Sequence, residues 1–303
     1  MTVTSEAPAA KRRAPRKAAP QPVGEDRIPK PSAGWYRDKV TGAKYRRVTT
    51  ILSLGSTKGD VLSIWSANLV AETAFANLPQ LVAASLNPHQ RAETYDWLRR
   101  APLRKKGERA EIGSAVHRII EAHVLGQPIP AELVEDPEMA PYLANFLQFV
   151  EDWQVTFEAS EMVVGSPEFG YAGTLDYLLR SPLIASALGA TTTATFMGDT
   201  KTGGELDVKG VYPEAALQMS AYRKAEIAWL RDGSTVPMPA THSTGVVLHL
   251  RPEGYRLIPV VCDDQVFAHF RVVQRAAEWV SGLSKTVVGG ALALPANIER
   301  EAA

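Results

Sequence analysis

The chain has 303 residues, of which 45 % are apolar, 8 % aromatic and 22 % charged. That balance excludes a disordered, fibrous or low-complexity protein and leaves room for one elaborated domain or two small ones. Lysine plus arginine and aspartate plus glutamate number 33 each, a zero total that argues against a generic nucleic-acid binder, and the single Cys262 excludes a disulfide framework or a Cys-rich metal site. No apolar run is long enough to span a bilayer, and no apolar stretch follows the basic N-terminus, so the expectation is a cytoplasmic protein with no membrane partner.

The zero is unevenly distributed. Residues 1–30 hold seven Lys/Arg and three acids, a net of +4, which leaves 26 basic and 30 acidic groups, or −4, for residues 31–303. Residues 1–34, rich in Ala and Pro, read as a disordered basic tail. A single folded domain is expected over 35–285, followed by a flexible tail over 286–303. Within the domain, 35–110 reads as a helical extension, 111–262 as the core and 263–285 as a last helix.

Residues 48–54 are either a short strand or the lead-in to a helix. Residues 60–77 have helical spacing, with Leu62, Trp65, Leu69 and Ala76 as core positions. Residues 89–109 are polar and basic and read as a solvated helix–loop, including Arg104, Lys105, Lys106 and Arg109. A helix over 111–125 carries the stripe Ile112, Val116, Ile119 and Ile120 and stops before Gly126 and Pro128. A second helix is expected over 137–157. Strands follow at 162–164, 172–179 and 193–197, then a helix opened by Pro213 and running to about Arg231. Two strands (244–250 and 255–261) and a helix over 264–283 close the domain. The order predicts an α/β (α+β) fold: a central mixed sheet flanked by helices.

Four short patterns carry chemistry. In Gly198-Asp199-Thr200-Lys201, an acid and a lysine two apart on a strand share one face of a sheet. Gly173-Thr174-Leu175-Asp176 lies in the preceding strand, so pairing of the two strands brings Asp176 and Asp199 together; two such carboxylates repel unless a cation lies between them. In the helix Gly113-x-x-x-His117-x-x-x-Glu121, the three named residues fall on one edge, and Gln218 and Tyr222 share a face of the later helix. Each pattern alone is weak: Asp-x-Lys is common by chance, and a lone helical histidine is usually structural, the reading given to His89 and His123.

In this order the four patterns resemble the PD-(D/E)XK nuclease superfamily, in the RecB-like branch that includes CRISPR-associated exonucleases. Segments 45–52 and 209–214 are similar to exonucleases of actinobacterial tailed phages. The resemblance implies a restriction-endonuclease-like αβββαβ core with an N-terminal helical extension. It further implies His117, Asp176, Asp199 and the Thr200 carbonyl as ligands of Mg²⁺ or Mn²⁺, with Lys201 as the catalytic lysine. Asp176, Asp199 and Glu121 join Lys201 among the catalytic residues. Gln218, Tyr222, Arg104, Lys105, Lys106 and Arg109 would contact DNA. Many relatives carry four cysteines for an iron–sulfur cluster; with only Cys262, none is expected here.

The function expected is a metal-dependent DNA exonuclease acting on linear ends, single- or double-stranded, in phage replication or recombination. Such an enzyme would work in the host cytoplasm, with an annealing protein as a possible partner. The alternatives are a structure-specific endonuclease and a non-catalytic DNA- or partner-binding protein on the same fold. A neutral His117 is needed to bind metal, so activity should fall below a pH near its ordinary value of about 6.5.

Overall fold

A computed structural model describes residues 26–56, 58–206 and 211–293. Most of the expected basic tail, Lys209, Gly210 and the last ten residues lie outside the described residues. Three short strands open the fold: β1 (Pro31–Ser32), β2 (Trp35–Arg37) and β3 (Lys44–Arg47). Five helices follow: α1 (Val48–Gly55), α2 (Lys58–Ala76), α3 (Leu78–Ser85), α4 (Pro88–Arg99) and α5 (Ala101–Val124). Then come α6 (Ala131–Val134), α7 (Ala140–Asp152), β4 (Thr156–Ser166) and β5 (Tyr171–Arg180). Helix α8 (Pro182–Ala187) separates β5 from β6 (Phe196–Lys201). The remainder is α9 (Glu214–Arg223), β7 (Ile227–Trp229), β8 (Thr235–Pro237), β9 (Thr244–Arg251), β10 (Gly254–Val261) and α10 (Asp264–Ser281).

Local chemistry sets these boundaries. Proline sits in the first two positions of α3, α4, α5, α7 and α8, where its missing N–H leaves no bond unmade. Asn87, Ser181 and Asp263 cap α4, α8 and α10 through their side-chain oxygens, each satisfying an amide that the helix itself cannot.

The elements form a mixed α/β fold built on one branched sheet. β5 pairs antiparallel with β4 along one side. Its other side is shared: the start of β5 pairs parallel with β3, and its far half pairs antiparallel with β6. β6 continues parallel to β9, and β9 antiparallel to β10. Helices α1, α9 and α10 cover one apolar cluster that includes Leu175, Met197, Val247 and Phe270. Helices α5, α7 and α8 cover a second, with Ile119, Phe146, Phe149 and Phe196. Setting aside inserted elements, the succession α5–β4–β5–β6–α9–β9 is αβββαβ.

Several boundaries differ from expectation. Of the two readings for 48–54 the helical one holds, whereas α7 stops at Asp152, before β4 begins. The basic segment is two helices meeting at Arg100 rather than a helix and a loop: α4 carries Arg91 and Arg99, and α5 runs unbroken from Ala101, so Arg104, Lys105, Lys106 and Arg109 share one rod with His117. The helix opened by Pro213 ends at Arg223, because Ile227–Trp229 leave to pair with β4. Of the meander β1–β2–β3, β1 falls in the segment expected to be a disordered tail, and β2 and β3 fall in the expected helical extension; the strands are too short for a period-2 pattern to show. In α2, Leu62 is 45 % exposed and Ala76 is exposed, while Trp65 and Leu69 are half-buried. The spacing correctly predicts a helix there but not a buried one.

Candidate metal and active site

The site lies where α5 crosses the strands β4, β5 and β6. The β5–β6 ladder pairs Tyr177 with Gly198, which sets Asp176 beside Asp199, as the spacing predicts. An oxygen of Asp176 (Oδ2) accepts a hydrogen bond from the Thr200 backbone N–H at 2.7 Å. Asp199 is 6 % exposed, and its Oδ2 lies 2.5 Å from Lys201 Nζ. Apart from that ammonium, this oxygen has no hydrogen-bond partner among the described residues.

Helix α5 supplies the imidazole. His117 Nδ1 is 3.1 Å from Glu161 Oε1, and its Nε2 is 3.8 Å from Asp176 Oδ2. One ligand atom from each of His117, Glu161 and Asp176 lies within 4.8 Å of the other two. One imidazole nitrogen and two carboxylates suit a hard divalent cation tolerant of nitrogen, Mn²⁺ more readily than Mg²⁺. Asp199 stands next to this group, paired with Lys201. Glu121 lies on the same side of α5 and lines, with Gly113, His117 and Glu161, a recess of about 490 Å³.

Spacing gives no hint of Glu161. It falls in β4 between the ladder pairs Ser160–Tyr177 and Met162–Leu175, and so opposite Asp176. Its φ is +48°, a left-handed conformation that non-glycine residues rarely adopt and that tends to concentrate at functional sites. A charged residue inside a half-buried strand is the one sequence signal that could have marked it.

The charges perturb one another in a consistent direction. Burial pulls the His117 pKa down, but the Glu161 hydrogen bond and the Asp176 charge outweigh it and push it up to about 9. Burial and the Asp199 charge raise Asp176 to about 7, against the opposing pull of His117, Lys201 and the Thr200 amide. Burial likewise disfavours the Lys201 ammonium, yet Asp199 and Asp176 more than compensate, so its pKa is raised. Without metal, the site is held together by protons on His117 and Lys201.

Helix α9 closes the other side. Tyr222 is buried, and Gln218 Nε2 donates to its hydroxyl at 3.4 Å. Position 173 must be glycine here: an added Cβ would stand 2.2 Å from the Tyr222 ring. The Tyr36 hydroxyl bonds Thr174 Oγ1 at 2.9 Å, two residues before Asp176. Two β9 residues hold the loop after Lys201: His249 Nε2 lies 2.9 Å from the Gly203 carbonyl, and Arg251 donates to the Thr202 carbonyl at 2.8 Å. Tyr36, His249 and Arg251 belong to no motif, and only the sheet pairing brings them here.

The four basic residues are exposed on α5. Arg104 lies over the Trp97 ring and donates to its carbonyl, Arg109 lies over Trp65, and Lys105 pairs with Glu108. By the helical rise, Arg109 is about 12 Å and Arg104 about 20 Å from His117 along the axis. Lys105 and Arg109 also border a cleft of about 930 Å³ with Trp65, Tyr212, Arg251 and Glu205. His123 packs edge-on against Phe146 and Phe157, in keeping with a structural role. No helix among the described residues is long and apolar enough to cross a membrane.

No protein-family model matches the chain, and no curated protein matches it.

Proposed function

We propose that this chain is a divalent-metal-dependent phosphodiester hydrolase of the PD-(D/E)XK type. Within that class, the reading best supported is a DNA exonuclease that works on linear ends, in the replication or recombination of phage DNA. One observation carries the proposal: an αβββαβ succession brings His117, Glu161 and Asp176 within mutual ligand distance, beside an Asp199–Lys201 pair. A module that only binds would gain nothing from burying paired carboxylates, since buried charge is unfavourable without a compensating role.

The donor set fits Mg²⁺ or Mn²⁺, held by His117, Glu161 and Asp176, with Asp199 adjacent. When bound, the ion would lower the pKa of a water and polarise a phosphoryl oxygen. The protein's own groups do the rest. Lys201 keeps its proton, so its role is to stabilise negative charge growing on the phosphate rather than to act as a base. Asp199 fixes the Lys201 ammonium in place, and the Thr200 amide fixes Asp176. The half-buried Gln218 on α9 would help to seat the sugar–phosphate backbone, while the buried Tyr222 supports the site from behind, against Gly173 and the Gln218 amide. The α5 cations extend the contact along the strand through phosphates, which give affinity without sequence information.

The test is degradation of linear and covalently closed circular DNA with Mg²⁺ or Mn²⁺, by the wild type and by Asp199→Ala and Lys201→Ala. Metal-dependent loss of linear DNA alone, abolished in both variants, is the expected result. Cleavage of the circle would mean an endonuclease, and degradation unchanged in both variants would defeat the reading.

A further inference from the structure

Helix α2 and the helix after it have an apolar surface that no described residue covers. Between Leu62 and Leu86 the only charged residue is Glu72. One side of α2 packs inward through the half-buried Trp65, Leu69, Val70 and Thr73. The opposite side is also apolar: Ile64 is 64 % exposed and Phe75 79 %, with the exposed Ala67, Asn68 and Ala71 between them. A helix that is apolar on every side is normally buried on every side. Helix α3 adds Leu78, Val82 and Leu86, exposed by 52 %, 54 % and 82 % along one side of its own axis.

We infer that this surface is the interface of a two-fold homodimer, formed by α2 packing antiparallel on α2 of a second copy. Three features select a second copy. First, the area fits: the exposed apolar side chains of α2 and α3 amount to roughly 700 Å², near the ~800 Å² that each partner contributes to a stable interface. Second, the stripe lacks the charge that would recognise nucleic acid or a charged peptide. Third, the pattern is self-complementary, with large residues at the ends and small ones in the middle. A two-fold axis near position 69–70 sets Ile64 of each copy against Phe75 of the other, and Asn68 against Ala71, so that the small residues permit close approach of the backbones. The inference does not depend on the nuclease reading, because the stripe lies on the side of α2 turned away from α5.

The oligomeric state of the full chain decides it, by light scattering coupled to gel filtration and by sedimentation. The wild type should run as a dimer at micromolar concentration. Phe75→Glu and Ile64→Glu, at exposed positions, should remain folded by circular dichroism and weaken the dimer by roughly thirtyfold or more. Mixing Ile64→Lys/Phe75→Lys with Ile64→Glu/Phe75→Glu should restore a dimer, which a merely misfolded variant could not do. Asn68→Cys/Ala71→Cys should cross-link between copies under oxidation, and the buried Cys262 leaves that reading clean. A monomeric wild type would overturn the inference, as would a dimer indifferent to all of these changes.

Discussion

At the sheet, Asp176 and Asp199 are 13 % and 6 % exposed and touch an imidazole, an ammonium and a backbone amide. On α4 and α5, Arg99, Arg100, Arg104, Lys105, Lys106 and Arg109 are exposed, and they lie on tryptophan rings, pair with nearby acids or extend into solvent. The two regions use charge differently. A buried charge depends on each of its partners, so removing one leaves the others uncompensated. A solvated cation contributes little by itself, and its neighbours hardly register its loss. Single changes should therefore act sharply in the first region and weakly in the second.

The largest contrast should appear in turnover. On the proposed function, Lys201→Ala and Asp176→Asn are each expected to lower the rate of DNA hydrolysis by roughly 10²–10³-fold, the scale seen when a group stabilising transition-state charge is removed. Arg104→Ala should change the turnover number little. Single-turnover rates on labelled linear DNA would measure both, and comparable losses in the two variants would erase the distinction between the regions.

Stability should divide in the same way. Phe149, on α7, is fully buried, and Phe149→Ala should destabilise the fold by about 3–5 kcal/mol. Leu103, 68 % exposed on α5, should tolerate alanine to within about 0.5 kcal/mol. Urea melts would show whether the helical extension is as loosely held as its exposure implies.

Metal binding should sharpen the contrast further. Glu161→Gln removes a charged donor and the hydrogen-bond partner of His117, and should weaken Mn²⁺ binding by about 10–100-fold. Calorimetric titration would measure this, and an unaltered affinity would return Glu161 to a purely structural role. The pH dependence follows from two raised pKa values. Ion binding needs His117 neutral and Asp176 ionised, so it must expel protons held up to about pH 9 and about pH 7. Apparent affinity should therefore climb as pH rises from 6 to 9, rather than level off just above the ordinary histidine value. For the metal-free fold the sign is opposite. A raised folded-state pKa contributes stability that is complete below the unfolded value, 6.5 for His117, and is lost as pH rises through about 9. Thermal melts with and without Mn²⁺ should diverge with increasing pH.

What could be read from the sequence follows the same division. Strand alternation and hairpin pairing predict that Asp176 and Asp199 adjoin, with Lys201 on the same face, and the ladder places them so. Grouping His117 with them comes from the resemblance, since a helical edge alone does not single out one histidine. Glu161 was not legible, because its role depends on a left-handed backbone angle that breaks the alternation. His249 and Arg251 reach the site only through the parallel pairing of β6 with β9, a contact between segments some fifty residues apart with no local signature. In the extension the helical period of α2 was plain, but period alone could not say that no described residue would cover its second apolar side.

The smallest expected effect concerns the α5 cations themselves. If Arg104, Lys105, Lys106 and Arg109 contact phosphates, each contact releases about one counterion, so each alanine substitution should reduce the slope of log affinity against log salt by about one. Two of the four are less free than their charge suggests: Arg104 is bonded to the Trp97 carbonyl, and Lys105 is paired with Glu108. Lys106 lies nearly in line with His117 along α5 by the helical period, and among the described residues it makes no ion pair. Its alanine variant should therefore lose the most affinity of the four, a few-fold at moderate salt, and the loss should shrink as salt rises. Fluorescence anisotropy across a salt series, with metal omitted to prevent cleavage, separates the four. A slope identical to wild type in all of them would leave the basic run a solvated face and limit DNA contact to the sheet.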